Sequence, residues 1–572
     1  MAIREFSLEG TPRAKIAFVG EVPSQEDLKR FSEHKFTWEP SNPADPVTLN
    51  KLSDPDFIAK LDAVIWTQDA TKLKALPREL RGVARKLLDH DVRIYVRLAS
   101  DENKTAIPRK HVVNAIIEDL LPANLQRAEW QTLPQDQRER ENSLLFPCIY
   151  IVDTANSWGD IAALVCSRPA SPIKLNLNFD EKILLDRFGR EGHEERVNLL
   201  KRAFWNCSDL RLTLLDGGMS GAPVFKAYAS LEAGLVQQGS TSPYPHLFFV
   251  KIGPRKKITD EYDKYCSHIS EYVPFHLGPR LRLERCNLGS KQGILVGDFV
   301  EGAETLIACA RGGRCGHAIA NLFDKTLGGW RKQERAKPVQ SLSSQLAQKW
   351  YVEGQKDKLI EVPAERIPLL HKLQADTQIG PLKEMFEQLG KAAAFAGPAH
   401  GDMHATNVLV RHGDAIIIDF EKLEQQYPLT YDPASLEGGL LVEGFIEDLK
   451  AAKLSPESVV SMIAPLYEGR AFKVGQTTYC RPGDPTEWYY NAVNQIRTLS
   501  WSAENEPCHY ALTLALCLIR KGCNPHQELN AKEPNALRAI AFFFGQKILR
   551  EMASTKLCAS QDLKPASEVE GQ

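Results

Sequence analysis

The sequence predicts an α+β protein in which a small α/β domain precedes a sheet region and a long helical region. Three observations predict this fold class. Short apolar runs alternate with amphipathic helical patterns over residues 14–100, as in a parallel sheet covered by helices. Residues 211–302 hold five strand-like runs and one helical pattern, which favours an antiparallel sheet that carries a single helix. Helical periodicity dominates from 303 to 553.

Composition restricts the class of protein. A chain of 572 residues is too long for one core and predicts several domains. Its formal net charge of −2 provides no global basic field for nucleic acid. The 12 cysteines form no CxxC pair, so neither a zinc site nor a thioredoxin motif is indicated. The first residues lack a signal-peptide pattern and no run is long enough to span a membrane, so we expect a cytoplasmic location.

The first domain, expected over residues 1–165, resembles receiver-like and flavodoxin-like domains in layout. A receiver needs an acidic cluster beside its first strand and a phosphorylatable aspartate at the end of its third. Here Glu21 alone ends the first predicted strand, and Asp69 lies past the predicted strand Ala63–Trp66. These departures favour a degenerate, scaffold-type domain that binds protein partners.

The segment "AHGDMHATNVLVRHGDAIIIDFEKLEQ", residues 399–425, concentrates the polar chemistry. Asp402 lies in a loop before a predicted strand at 408–410, and Asn407 lies where the loop enters that strand. Asp419 ends a second predicted strand at 415–418. Phosphoryl transfer from ATP needs a carboxylate to orient the acceptor hydroxyl and oxygen ligands for Mg²⁺. Two adjacent strands would bring these three side chains to one edge.

The pattern H-G-D-x-x-x-x-N followed by a strand-ending Asp resembles the aminoglycoside phosphotransferase and choline kinase-like family, which has a two-lobed protein kinase-like fold. The resemblance implies that Asp402 is the catalytic base, that His400 braces the catalytic loop, and that Asn407 and Asp419 bind Mg²⁺. Gly401 stands where protein kinases carry Arg, and Glu421 stands where they carry the Gly of D-F-G. Both departures favour the small-molecule kinases.

The upstream half holds the remaining parts in the family's order. "DGGMSGAPVF" (216–225) resembles the phosphate-binding hairpin, with contacts expected from Gly217, Gly218, Ser220 and Gly221. Lys251 stands where the family has its phosphate-contacting lysine, and Glu261 is placed to pair with it, with Asp260 as the competing choice. "GDFVEG" (297–302) resembles the hinge that meets adenine, which assigns Asp298 and Val300 to the nucleotide.

Residues 180–553 also resemble the ternary-complex-associated branch of kinase-like domains in bacterial conflict systems. The stretches that carry this resemblance include "GGMSGAPVF", "VKIGP" and "YDPASLEGGLL", in which Asp432 would brace the catalytic loop. The expected organisation is a receiver-like domain (1–165), a linker and helix (166–210), a kinase-like N-lobe (211–302), a helical C-lobe (303–553) and a flexible tail (554–572).

The expected function is therefore an ATP- and Mg²⁺-dependent phosphotransferase that acts on a hydroxyl, in a bacterial defence or signalling system. The alternative is a nucleotide-binding pseudokinase that signals through partners without transfer. A third hypothesis is an antibiotic-modifying enzyme. Aminoglycosides are polycations and need an acidic acceptor surface, for which Glu437, Glu443 and Glu447 are the candidates. The acceptor itself is not indicated.

Overall fold

The computed structural model describes most of the chain from residue 15 to residue 555. The described residues are 15–33, 37–39, 47, 51–58, 61–69, 83–84, 86–87, 90, 92–99, 149–152, 157–166, 174, 176–215, 223–231, 245–289, 291–333, 340–355, 357–504, 506, 508–524 and 531–555. The chain divides into two compact units. The first unit comprises residues 1–262 and 281–299, and the second comprises 263–280 and 300–572.

The strands are numbered in chain order. They are β1 Lys15–Val19, β2 Thr37–Glu39, β3 Leu61–Asp69, β4 Arg93–Ala99, β5 Ile149–Val152, β6 Cys207–Leu214, β7 Val224–Leu231, β8 His246–Pro254, β9 Asn287–Leu288, β10 Gln292–Asp298, β11 Glu304–Thr305, β12 Gln340–Ser341, β13 Ala393–Ala394, β14 Ala396–Ala399, β15 Val408–Arg411, β16 Asp414–Ile417 and β17 Glu424–Pro428.

The α-helices are numbered in the same way. They are α1 Gln25–Glu33, α2 Pro55–Ile58, α3 Trp158–Cys166, α4 Lys182–Phe188, α5 His193–Ala203, α6 Arg255–Lys264, α7 Ser270–Tyr272, α8 Leu306–Arg311, α9 Cys315–Asn321, α10 Gly328–Gln333, α11 Leu342–Gln345, α12 Ile367–Lys372, α13 Ile379–Leu389, α14 Tyr431–Gly444, α15 Ile446–Lys450, α16 Pro456–Ile463, α17 Glu487–Ser500, α18 His509–Cys523 and α19 Lys532–Thr555.

The first sheet of unit one is parallel, in the order β2-β1-β3-β4-β5. This is the strand order of flavodoxin-like doubly wound sheets. The expectation for β3 was too short, because the strand runs on to Asp69, which is its last residue. Glu21 forms an ion pair with Arg97 of β4. The receiver-like interpretation itself stays a prediction.

The second sheet of unit one is antiparallel, in the order β6-β7-β8-β10-β9. Burial alternates along β7, as period-two side-chain placement requires, with Phe225, Ala227 and Ala229 facing the core. Leu200 and Phe204, from and just after α5, are buried in the same core. The segment 166–210, expected to be a linker and helix, therefore contributes α4 and α5 to the packing of this sheet.

In unit two, α14 is buried along nearly its whole length and packs against α17, α18 and α19. The polar side chains that this burial encloses, Asp432 and Glu437, are hydrogen-bonded. The hairpin β15–β16 turns through His412 and Gly413, whose φ values of 54° and 86° fit the type I′ turn that two-residue hairpins favour. Among the described residues, no helix has the length and apolar character needed to cross a bilayer.

The helical character expected from residue 303 onward is found over most of 303–333 and is wrong at 340–355. Residues 303–333 form α8, α9 and α10, with a π-helical segment at Leu322–Thr326. Within the described residues 340–355, the helical elements are limited to the four-residue α11 and a 3₁₀ turn, because β12 pairs with β13. Long-range strand pairing outweighs local helical periodicity here, and the non-helical chain that results lines a cavity beside Asp402.

Candidate active site

The backbone of the loop at His400–Asp402 is hydrogen-bonded to one buried carboxylate. Asp432, in the first turn of α14, accepts the backbone N–H of His400 at 2.8 Å and that of Gly401 at 3.1 Å. Burial raises the pKa of Asp432, and the adjacent His400 and the two N–H donors oppose this rise. The structure thus places Asp432 where the sequence resemblance expected a brace for the loop.

His400 and Asn407 tie the loop to the hairpin. The His400 ring is fully buried, its Nε2 lies 2.9 Å from the carbonyl oxygen of Ile418, and Phe420 contacts it edge-on. The side-chain amide of Asn407 donates to the carbonyl of Asp402 at 3.1 Å. These contacts hold the backbone on both sides of Asp402, so this residue is presented from a rigid support.

Asp402 itself faces an open space. Its side chain is 50% exposed. The preceding residue, Gly401, has a positive φ, and the side chain of the following residue, Met403, is fully buried. Asp402 lines a cavity of about 410 Å³ within unit two, hereafter the Asp402 cavity. The other residues that line it include Lys349, Tyr427, Tyr431, Arg520 and Lys521. A carboxylate in this position can accept a proton from a hydroxyl bound in the cavity.

Asp419 lies at the same end of the hairpin as Asn407, because the backbone N–H of Ile418 donates to the carbonyl of Asn407 at 3.0 Å. Asp419 has a φ of 65°, a left-handed conformation that costs a non-glycine residue about 1–3 kcal/mol and is concentrated at functional sites. The surrounding fold therefore holds this aspartate in a costly backbone conformation.

The donor chemistry of this end of the hairpin fits Mg²⁺. Asn407 uses its amide nitrogen on Asp402, which leaves the amide oxygen as its metal-binding atom. One amide oxygen and the Asp419 carboxylate are hard ligands, and Mg²⁺ commonly takes few protein ligands beside phosphate and water. Among the described residues, no group of three or more His, Cys, Asp or Glu side chains is arranged to hold a metal.

His404 serves packing and charge pairing in the structure. Its Nδ1 lies 3.0 Å from a Glu443 carboxylate oxygen and 2.8 Å from the Thr406 hydroxyl. Burial disfavours the charged ring, but Glu443 and Asp402 outweigh burial and raise the pKa of His404. A Cβ on Gly439 would lie 2.8 Å from the His404 Cβ, so glycine there allows α14 to approach the loop closely.

Unit one holds the expected lysine and its partner. Lys251 Nζ lies 2.7 Å from Glu261 Oε2, and both side chains are buried. Glu261 rather than Asp260 makes this contact. The carboxylate of Asp298 accepts a hydrogen bond from Arg282 Nε at 2.7 Å, and Val300 is partly buried. The glycine-rich turn, with Gly217, Gly218, Ser220 and Gly221, lies outside the described residues.

The three glutamates named as candidates for an acidic acceptor surface each have a local partner. Glu437 is fully buried and forms a two-point ion pair with Arg497 at 2.6 and 3.0 Å. Glu443 contacts His404, and Glu447 pairs with Lys450 on its own helix. Each carboxylate is therefore committed to a local partner. The sequence showed their number and helical spacing but could not show which way the helix faces.

Sequence reasoning missed the cations of the Asp402 cavity. Lys349 and Arg520 are 171 positions apart, yet Arg520 Nη1 donates to the Lys349 carbonyl at 2.6 Å. No local motif marks either residue. Gly439 and Glu443 had a detectable signal, because they follow Asp432 by seven and eleven positions and so share its helix face.

Comparison with known proteins finds no matching family model and no matching curated protein. Among solved structures the chain is similar to an amicoumacin kinase, at 12% identity and a TM-score of 0.32, covering 64% of this chain and 96% of that one. It is similar to a thermostable mutant of the aminoglycoside phosphotransferase APH(4)-Ia, at 12% identity and a TM-score of 0.32, covering 66% and 100%.

A Plasmodium vivax ethanolamine kinase is also similar, at 10% identity and a TM-score of 0.29, covering 73% of this chain and 96% of that one. These neighbours are phosphotransferases, the class that the sequence motifs resemble. Their TM-scores are too low for any inference about this chain's chemistry. We therefore infer the chemistry of this chain from its own site residues.

Proposed function

We propose that this protein is an ATP- and Mg²⁺-dependent phosphotransferase that transfers the γ-phosphate to a hydroxyl group. The observation that carries the proposal is the presentation of Asp402. This carboxylate is half-exposed at the wall of a cavity of about 410 Å³, on a loop held by the buried carboxylate of Asp432. A buried support beneath an accessible carboxylate is what a catalytic base requires.

In the proposed reaction Asp402 orients the acceptor hydroxyl and accepts its proton as the oxygen attacks phosphorus. Asn407 and Asp419 hold Mg²⁺, which supplies charge neutralisation of the phosphates when bound. Lys251, held by Glu261, is assigned the contact with the nucleotide phosphates, as are Gly217, Gly218, Ser220 and Gly221. His400 keeps the loop in place and takes no part in proton transfer.

Asp298 and Val300 are assigned to the nucleotide. Their assignment to the adenine rests on the resemblance of "GDFVEG" to a kinase hinge, and the Asp298 carboxylate is already engaged by Arg282. A hinge contact would therefore come from backbone groups. The resemblance to conflict-system kinases likewise supports a role in bacterial defence or signalling.

The test is ADP formation from ATP and Mg²⁺ in the presence of a fractionated small-molecule extract, with labelled ATP to identify the product. Asp402→Asn should lower the rate by about 10²–10⁴-fold, the usual contribution of a general base. Asp324→Asn is the matched control, since Asp324 is exposed elsewhere in the same unit. Nucleotide affinity by calorimetry should be unchanged in both variants.

Two results would redirect the assignment. Equal rates for wild type and Asp402→Asn would remove Asp402 as the base. Tight nucleotide binding with no labelled product from any extract would favour the pseudokinase alternative, in which the same fold senses nucleotide and signals through partners. Labelled product that disappears with Asp402→Asn excludes that alternative.

A further inference from the structure

The walls of the Asp402 cavity carry an excess of positive charge. Four cationic side chains line it, against three acidic ones; the cations are Lys349, Lys422, Arg520 and Lys521, and the acids are Asp402, Glu353 and Glu424. Lys422 forms an ion pair with Glu353, so these two cancel. Three cations then remain for Glu424 and Asp402, and Asp402 is reserved for the hydroxyl in the proposed reaction.

The cations are held in place rather than free to swing into solvent. Arg520 Nη1 is anchored on the Lys349 carbonyl at 2.6 Å. Lys349 Nζ lies over the rings of Tyr427 and Tyr431, at 4.8 and 5.3 Å from their centroids. The stem of Lys521 lies against α14, where a Cβ on Gly438 would be 3.2 Å from its Cε. Such fixed cations suit recognition of a bound anion.

The electrostatics of Lys349 agree with this picture. Burial, and after it the repulsion of Arg520, lowers the pKa of Lys349 to about 8, although Glu424 and Glu353 pull in the opposite direction. Among the charged neighbours of Lys349, Arg520 therefore has the largest effect on its pKa. An anion bound there would relieve the repulsion, whereas a polycation would add to it.

We infer that the acceptor is an anionic alcohol, whose phosphate or carboxylate group contacts Lys349, Arg520 and Lys521 while its hydroxyl reaches Asp402. This inference rests on the proposed function for the role of the hydroxyl, but the anion site is a property of the cavity alone. It argues against polycationic acceptors such as aminoglycosides, because the candidate acidic residues of α14 and α15 pair with Arg497, His404 and Lys450.

An activity-independent test uses pyridoxal 5′-phosphate and pyridoxal. Because pyridoxal also closes to an internal hemiacetal, the labelling of Lys349 by each aldehyde is expressed relative to that of Lys391, an exposed lysine outside the cavity. Each aldehyde forms an imine with a lysine amine, borohydride fixes it, and peptide mass spectrometry locates it. We expect the phosphorylated aldehyde to label Lys349 at least about 10-fold more than pyridoxal does, since one hydrogen bond to a charged group is enough for a preference of about 10-fold.

Three controls make the labelling specific. Arg520→Gln and, separately, Lys521→Gln should remove the phosphate preference at Lys349. Lys473→Gln, at an exposed position outside the cavity, should leave it unchanged. Glycerol 3-phosphate should protect Lys349 if the site takes phosphates, glycerate should protect it if the site takes carboxylates, and glycerol and ethanolamine should not protect it. Equal labelling by the two aldehydes, or no labelling of Lys349, overturns the inference.

Kinetics separate this inference from the proposed function. With the acceptor identified from extract, Arg520→Gln and Lys521→Gln should raise its KM about 10-fold and leave the KM for ATP unchanged. A rise confined to the KM for ATP, or turnover of cationic acceptors at lower KM than anionic ones, overturns the anionic assignment. If no acceptor is phosphorylated but the labelling preference holds, the anion site stands and the transfer function fails.

Discussion

Replacing Gly401 by alanine tests how closely the catalytic loop is fitted to its surroundings. Gly401 has a φ of 76°, and a Cβ there would overlap the carbonyl oxygen of Lys422 and lie 3.0 Å from the carbonyl carbon. The obstacle is backbone rather than a flexible side chain. Either Lys422 or the loop that carries Asp402 must therefore move by about 1 Å to restore a van der Waals separation.

Two contributions can be separated because the chain offers a matched control. Gly483 has the same φ of 76° but no atom within 4 Å of an added Cβ. Gly483→Ala should therefore show only the left-handed backbone penalty, about 1–2 kcal/mol. Gly401→Ala should add about 2–4 kcal/mol of backbone distortion, and a displacement of Asp402 by about 1 Å should lower the rate about 10²-fold.

The assay compares the two variants side by side. Denaturant unfolding of the second unit measures the loss of stability, and ADP formation measures the rate. We expect Gly401→Ala to have the lower midpoint and the lower rate, with Gly483→Ala near wild type in rate. Equal losses of stability, or full activity in Gly401→Ala, would refute the claim that the Lys422 backbone confines the loop.

Three further predictions concern buried charge. Lys251→Met should destabilise unit one by about 3–5 kcal/mol in calorimetry, and adding Glu261→Leu should recover part of that loss, since the second change removes the unpaired buried carboxylate. Asp432→Asn should lower the free energy of unfolding by about 2–4 kcal/mol in denaturant titration. The two carboxylate oxygens each accept a backbone N–H, and an amide would set its own N–H group against one of these donors. A loss below about 1 kcal/mol would contradict this. Burial raises the pKa of Glu504 from its ordinary 4.5 to about 7, with the Tyr510 N–H opposing, so folding favours the protonated acid. The stability that protonated Glu504 contributes is complete below about pH 4.5 and is lost as pH rises through 7. Glu504→Gln should therefore flatten the profile of thermal midpoint against pH between these two values.

Local pattern was enough for the catalytic loop and its hairpin. The expected strands at 408–410 and 415–418 differ from β15 and β16 by one residue at their ends. The alternation of apolar residues, the turn at His412–Gly413 and the polar residues at the strand ends all act over a few positions. A short antiparallel hairpin needs no distant part of the chain to specify it.

Features that depend on distant parts of the chain were less predictable. The helical periodicity expected from 303 onward gave way at 340–355, where β12 pairs with β13, more than fifty residues later. Burial of Glu437 against Arg497 removes this residue from the candidates for an acidic acceptor surface. Helical spacing could not show this, because it shows which residues share a face but not what that face meets.

By itself, the sequence determined the polar residues of the 399–425 segment, their spacing on a hairpin, and the order of the parts upstream of it. Only the tertiary structure decided that Asp402 opens onto a cavity and that Lys349, Arg520 and Lys521 give that cavity its positive charge. The physical reason is range. Turn and strand preferences act between neighbours, whereas the charge of a cavity is the sum of side chains that only packing brings together.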